Sequence, residues 1–141
     1  MSGEIIARTR LTEGMHFIGA ADSGHMIDMD SPVGGDGSGA SPMELVLLAL
    51  AGCTGMDVLA IMRKKRQAVQ GLEVIAHGQR SETYPRVYTA IQLEYICTGA
   101  AINPEALVQA IELSRERYCP VWAMLRPTVE ISYTYQIAVS D

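Results

Sequence analysis

The feature that most constrains the fold is an apolar stretch of twenty residues, Met43–Met62, in the first half of the sequence. Ser41 and Pro42 precede it as an N-cap and a first helical residue, so the sequence predicts a helix from Pro42 to Arg66. That helix is about 37 Å long at about 1.5 Å per residue. A compact chain of 141 residues is itself only about 37 Å across. We therefore expect a second subunit, in a homodimer, to help bury the helix.

A membrane span is the alternative for this stretch, because a basic run, Arg63–Arg66, follows it. Two acidic residues, Glu44 and Asp57, oppose that interpretation. An aspartate near the bilayer centre costs about 2.5 to 3.5 kcal/mol, and Gly52–Gly55 adds no compensating hydrophobicity. We expect a helix buried in protein and no membrane association.

The charge balance excludes nucleic acid as an expected partner. Eleven Lys and Arg face sixteen Asp and Glu, for a net charge of -5, so no basic excess is available to neutralise a phosphate backbone. An apolar content of 48% with 19% charged residues is typical of one globular domain. The N-terminal residues lack a basic stretch followed by an apolar run, and we expect a cytoplasmic location.

Turn and cap residues divide the chain into segments of one α+β domain over residues 1–141. Asp22–Gly24 and Thr83–Pro85 indicate turns between strands, and Asn103 indicates a helix N-cap. The glycine-rich loop lacks the Lys-Ser/Thr of a phosphate-binding loop and is interpreted as a hinge. The predicted segments are a strand meander (1–30), this loop (31–41), the central helix (42–67), a strand hairpin (71–98), helices (103–126) and a closing strand (128–139).

Three cysteines, Cys53, Cys97 and Cys119, are the candidates for chemistry. They are too few and too widely spaced for a disulfide scaffold or a zinc site, and we expect no bound metal. Cys97 follows the apolar positions of an alternating strand and is predicted to lie in the core.

Cys53 and Cys119 each stand beside a helix-start signal. Thr54 and Asp57 have the spacing of a capping box, so the helix could restart at Thr54 and place Cys53 at an activating N-terminus. In the other geometry the helix runs through, and Asp57 at i+4 disfavours the Cys53 thiolate. Pro120 places Cys119 at a helix junction, where the same activation argument applies. The two residues suggest a thiol pair that folding brings together.

Three segments carry a resemblance to a known family: Ser41–Leu45, Ala49–Thr54 and Glu116–Val121. With the long first helix and the separation of the two cysteines, they make the chain similar to the OsmC family, which includes the organic hydroperoxide resistance proteins. The resemblance covers essentially the full chain. It implies an α+β fold in which curved antiparallel sheets wrap around long central helices in an intertwined homodimer.

The resemblance also implies a thiol peroxidase that defends against oxidative stress. Cys53 would be the peroxidatic residue, attacking an organic hydroperoxide or hydrogen peroxide and becoming a sulfenic acid. Cys119 would be the resolving residue, closing a disulfide that an external dithiol, such as a lipoyl group, reduces. No cofactor and no metal are implied.

The chain departs from the family pattern at the residues that support the reactive cysteine. Well-described branches place an Arg and a Glu there, whereas here Met43 follows the proline and the acid is displaced to Glu44. Glu44 faces half a turn away from Cys53 and lies about 13 Å along the helix, so it is a candidate only for orienting an Arg. The candidate cations are Arg8, Arg10 and Arg126.

The alternative function is a non-enzymatic dimer of the same fold that binds a small apolar ligand or senses redox state. Two adjacent sulfurs beside a buried cation favour the enzyme, and a site without a cation favours the alternative.

Overall fold

The computed structural model describes residues 3–140, which form two compact units with the boundary between Val46 and Leu47. The N-terminal unit contains an antiparallel sheet in the order β1-β2-β3. Its strands are β1 (Arg8–Glu13), β2 (His16–Ala20) and β3 (Ile27–Met29). This sheet agrees with the antiparallel meander that the turn residues predict.

The glycine-rich loop after β3 folds around the buried side chain of Asp30. The two carboxylate oxygens accept four hydrogen bonds of 2.7 to 3.1 Å from the backbone N–H groups of Ser31, Asp36, Gly37 and Ser38. Burial acts to raise the pKa of Asp30, but these donors outweigh it and lower the pKa below its usual value. The carboxylate therefore gives the loop a defined shape.

Helix α1 spans Pro42–Lys64 and crosses the boundary between the units. A capping box starts it: Ser41 N donates to Glu44 Oε1 at 2.9 Å, and Glu44 N donates to Ser41 Oγ at 3.2 Å. The Ser41 donors lower the pKa of Glu44. The helix ends before the predicted Arg66, because Arg66 has a φ of 60°, a left-handed conformation that ends a helix.

The C-terminal unit contains a second sheet in the order β4-β5-β6. Its strands are β4 (Gly71–Arg80), β5 (Tyr88–Gly99) and β6 (Glu130–Val139). β4 and β5 form an antiparallel pair, but β5 and β6 run parallel, which corrects the expectation of wholly antiparallel sheets. The reason is the helical connection between β5 and β6, since a crossover of this kind returns the chain in the same direction.

That connection contains α2 (Pro104–Leu113), a π-helical turn (Ser114–Tyr118) and α3 (Pro120–Leu125). The Asn103 side chain caps α2 by accepting from Glu105 N at 2.9 Å, as the sequence predicts. Cys119 lies between the π-helical turn and α3.

Helix α1 buries one row of residues and leaves other apolar residues exposed. The buried residues recur every four positions and are Leu50, Thr54, Val58 and Met62. Leu48 is 62% exposed and Met56 is 75% exposed. The helix is long and apolar enough to cross a membrane, with a mean hydropathy of 2.1 in its most apolar window, of which 22% is buried. A core helix in a soluble protein can have the same length and composition.

Candidate active site

Cys53 lies in the middle of α1, because the helix runs through Gly52 and Gly55 without a break. The capping-box interpretation of Thr54 and Asp57 is therefore wrong, and Cys53 has no helix N-terminus beside it. A Cβ on Gly55 would lie 3.3 Å from Val74 Cγ2, so this glycine permits close packing of α1 on β4. The Cys53 side chain is partly exposed.

Cys119 is fixed where the π-helical turn meets α3. Its backbone N–H donates to Ser114 O at 2.9 Å, and its sulfur accepts from Trp122 N at 3.4 Å. The extended conformation of Cys119 and the following Pro120 end one helical segment and start the next. The side chain is buried.

The fold brings the two predicted cysteines together with a third group. One ligand atom each of Cys53, Asp57 and Cys119 lies within 4.8 Å of the other two, although the cysteines are 66 residues apart in sequence. Both cysteines are free thiols. Asp57 reaches the cluster because positions i and i+4 share a helix face.

The environment of Cys119 does not activate its thiol as the helix-start argument predicts. Burial raises its pKa to about 11, and the neighbouring Cys53 also raises it, while the Trp122 N–H acts in the opposite direction. Cys119 is thus a protonated thiol near neutral pH.

A chain of buried hydroxyl groups leads to the Asp57 carboxylate. Ser114 Oγ donates to Asp57 Oδ2 at 2.9 Å. Thr54 Oγ1 lies 2.7 Å from Ser114 Oγ, and Tyr95 Oη lies 2.8 Å from Thr54 Oγ1. Because the ionised carboxylate only accepts, Ser114 donates to it, Thr54 donates to Ser114 and Tyr95 donates to Thr54. The chain directs three O–H dipoles towards the carboxylate.

The far end of this chain is a pair of tyrosines. Burial raises the pKa of Tyr95, which keeps its hydroxyl protonated as a donor. The rings of Tyr95 and Tyr133 meet edge to face, with centroids 5.9 Å apart. Tyr133 donates to Glu112 Oε2 at 2.7 Å, and burial and this carboxylate raise the pKa of Tyr133 to about 12.

Two arginines of the C-terminal unit near this connection contact glutamates. Arg115 Nη1 lies 3.1 Å from Glu112 Oε1 and also contacts Glu116. Arg126, one of the predicted cations, lies 3.6 Å from Glu116 Oε2 and donates to the backbone oxygen of Arg115. The acidic member of the Cys53 and Cys119 cluster is Asp57.

The remaining sequence candidates lie elsewhere. Arg8 and Arg10 are exposed on β1, and Glu44 caps the first turn of α1. Cys97 is buried on β5 as predicted, where burial raises its pKa. The N-terminal unit also contains an apolar cavity of about 350 Å³, with Met15, Phe17 and Met29 in its lining.

In a comparison with protein families, the family described as OsmC-like protein matches residues 35–134 of this chain. The chain belongs to the OsmC-like family. Protein YhfA of Escherichia coli strain K12 is 42% identical to this family member over 135 residues, covering 95% of this chain and 98% of YhfA.

Solved structures share the OsmC-like fold. A hypothetical protein from Aquifex aeolicus aligns with a TM-score of 0.89 at 29% identity, covering 99% of this chain and 100% of that protein. An organic hydroperoxide resistance protein OsmC from Legionella pneumophila aligns with a TM-score of 0.70 at 16% identity, covering 98% of this chain and 97% of its own. The second likeness shows the fold alone.

Proposed function

We propose that the protein is a thiol-dependent peroxidase that reduces organic hydroperoxides and, more slowly, hydrogen peroxide. The observation that carries this proposal is the approach of the Cys53 and Cys119 sulfurs to within 4.8 Å of each other as free thiols. That separation is small enough for side-chain rotation to close a disulfide. Proteins of this fold that are named for hydroperoxide resistance support the choice of substrate.

The different environments of the two thiols support their roles. Cys53 is partly exposed and can meet a peroxide, whereas Cys119 is buried, with a pKa raised to about 11 by burial. A peroxidatic sulfur must reach the substrate, and a resolving sulfur needs only to reach the first sulfur. Cys53 is therefore the peroxidatic residue and Cys119 the resolving residue.

The reaction has two steps on the protein. The Cys53 sulfur attacks one peroxide oxygen, the O–O bond breaks, and the thiol proton leaves with the alcohol, so that a sulfenic acid remains. The Cys119 sulfur then attacks the sulfenic sulfur, a disulfide forms, and the hydroxyl leaves as water with the Cys119 proton. A small external dithiol, for which a lipoyl group is the model, reduces the disulfide and is itself oxidised.

Asp57 is the base for the second step. The Cys119 thiol must lose a proton as its sulfur attacks, and the Asp57 carboxylate is the acceptor within 4.8 Å. The hydroxyl chain from Tyr95 through Thr54 and Ser114 holds that carboxylate in place by a hydrogen bond to Oδ2.

The protein acts as a homodimer in the cytoplasm. A groove of about 400 Å³ runs along α1 and β4 and is lined by apolar residues, of which Leu48 and Met56 are exposed. The apolar groove favours a second subunit over solvent. The buried Thr54 and the bound Asp57 tie α1 to protein partners, which argues against a lipid environment.

Molar mass by light scattering tests the dimer. The wild type should show twice the 15.3 kDa of one chain, and Met56→Glu should shift it towards a single chain. Met124→Glu is the matched control, because Met124 is 78% exposed on α3 and outside the groove. A wild-type monomer would contradict the dimer.

The second candidate is a dithiol that senses redox state without useful turnover. The Asp57 carboxylate beside the two thiols favours it, because a cation in that place would favour the enzyme. This candidate predicts the same disulfide but no sustained consumption of peroxide.

The deciding experiment measures peroxide consumption by the purified protein with dithiothreitol or dihydrolipoamide. Cumene hydroperoxide should be consumed over many turnovers and faster than hydrogen peroxide. Cys53→Ser should abolish consumption, and Cys97→Ser, which removes a thiol outside the cluster, should retain it. Consumption by wild type that stops after one equivalent would favour the sensor, and none above the Cys53→Ser background would refute the peroxidase.

A further inference from the structure

The cluster at the two thiols consists of three groups that are ligands for soft and borderline metal ions. The Cys53 and Cys119 sulfurs and one Asp57 carboxylate oxygen all lie within 4.8 Å of one another. In a tetrahedral zinc site with Zn–S bonds of about 2.3 Å, adjacent ligand atoms are about 3.5 to 3.8 Å apart. Side-chain rotations that move these atoms by about 1 Å would therefore complete such a triangle.

We propose that the reduced protein binds one Zn²⁺ per chain through Cys53, Asp57 and Cys119. Two thiolates select zinc over magnesium and calcium, which prefer oxygen ligands. The three protein ligands leave a fourth tetrahedral position for water. The spacing of the cysteines along the chain does not reveal this site, because α1 supplies two ligands and the residue before α3 supplies the third.

The surroundings of Asp57 suit a metal ligand. Ser114 donates to Oδ2 at 2.9 Å and is itself held by Thr54. A carboxylate has about four lone-pair sites, so this hydrogen bond leaves capacity for an ion. Hydrogen-bond partners of this kind orient metal-binding carboxylates.

Zinc binding would replace two thiol protons, and this exchange makes the zinc affinity depend on pH. One Zn²⁺ displaces one proton from Cys53 and one from Cys119, and both protons pass to the solvent. Because binding releases these protons, the zinc affinity rises with pH.

This site goes beyond the proposed peroxidase and does not depend on it. A Cys53–Cys119 disulfide removes both thiolate ligands, so the disulfide and the zinc complex exclude each other. Zinc binding by the reduced thiols is measured without any peroxide. A failure of the peroxidase proposal would therefore leave this one intact.

The experiment titrates the reduced, metal-free full chain with Zn²⁺ in competition with a chromophoric zinc chelator. The wild type should bind one equivalent, and Co²⁺ should give thiolate charge-transfer bands and the visible bands of a tetrahedral site. Cys53→Ser and Cys119→Ser should lose the equivalent and the charge-transfer bands. Asp57→Asn, which keeps the shape of the side chain, should lower the affinity at least about 10-fold.

Cys97→Ser is the matched control, because it removes a thiol outside the cluster and should leave stoichiometry and affinity unchanged. Circular dichroism establishes that each variant is folded. No binding by the wild type, or one equivalent retained by both Cys53→Ser and Cys119→Ser, would overturn the site. An unchanged affinity in folded Asp57→Asn would overturn the three-ligand assignment.

Discussion

The carboxylates of two aspartates, Asp30 and Asp57, lie in different surroundings and have different roles. Asp30 is buried and accepts four backbone N–H donors. Asp57 accepts one hydroxyl and has two thiols beside it. A carboxylate that accepts four backbone N–H donors fixes the backbone around it, whereas one with a single donor and reactive groups beside it can accept a proton or an ion. The comparison predicts that Asp30 supports stability and Asp57 supports chemistry.

The largest expected effect is on the chemistry at Asp57. Asp57→Asn keeps an acceptor for Ser114 but cannot take the Cys119 proton, so disulfide closure after one peroxide addition should slow by about 100-fold. Rapid-quench thiol counting measures this step, and a sulfenic-acid probe should detect accumulated Cys53 sulfenic acid. Asp30→Asn is the matched comparison and should leave the closure rate of the folded protein unchanged. Equal slowing of disulfide closure in both variants would contradict the different roles proposed for Asp57 and Asp30.

The next effect is on the loop that surrounds Asp30. A Cβ on Gly35 would lie 2.2 Å from Asp30 Oδ1 and 2.2 Å from Ser31 O. Gly35→Ala should therefore destabilise the fold by about 1 to 3 kcal/mol in urea unfolding. Gly3→Ala, whose added Cβ meets nothing within 4 Å, should change stability very little. A neutral Gly35→Ala would show that the loop does not depend on the Asp30 arrangement.

A similar or smaller loss of stability is expected on the Asp57 side. Thr54→Val preserves shape but leaves the Tyr95 and Ser114 hydroxyls without their shared partner, at a cost of about 1 to 3 kcal/mol. It should also slow disulfide closure, since Ser114 no longer holds the carboxylate as firmly. Thr89→Val is the control, because Thr89 is exposed and its change should stay within about 0.5 kcal/mol. A Thr54→Val protein with wild-type stability would contradict the buried chain.

The smallest effect is the dependence of stability on acid. The pKa of Asp30 is lowered from 3.8 in the fold, so its contribution is complete above that pH and is lost as pH falls through the folded value. The wild type should lose stability below about pH 4, and Asp30→Asn should show a flatter curve there. Urea midpoints across this range measure the difference. If wild type and Asp30→Asn lose stability equally as the pH falls, Asp30 does not contribute to the acid sensitivity.

The sequence predicts helix starts well, because their signals are local. Ser41 with Pro42 and Asn103 with Pro104 mark the beginnings of α1 and α2. Helix α1 ends before the predicted Arg66. The residue with the left-handed conformation at this end is an arginine and not the usual glycine, so the sequence does not mark the end. The parallel pairing of β6 depends on a long crossover, which no local pattern reports.

The candidate site was only partly predictable. The family motifs select Cys53 and Cys119, but Gly52 and Gly55 leave the geometry of Cys53 open until the packing of Gly55 against Val74 is known. The hydroxyl chain was missed because its members lie on three different elements. One signal existed: Ser114 continues the buried face of α2, three residues after Ile111, where a hydroxyl needs a partner.

The most direct test of the roles assigned to Cys53 and Cys119 counts thiols after a single oxidation. The reduced protein, with three cysteines per chain, is treated with one equivalent of cumene hydroperoxide and mapped by mass spectrometry. We predict that two thiols disappear, that one peptide pair linked by Cys53 and Cys119 appears, and that Cys97 stays free. Three remaining thiols, a link that includes Cys97, or Cys53 oxidised beyond the sulfenic acid with Cys119 still free would contradict the account.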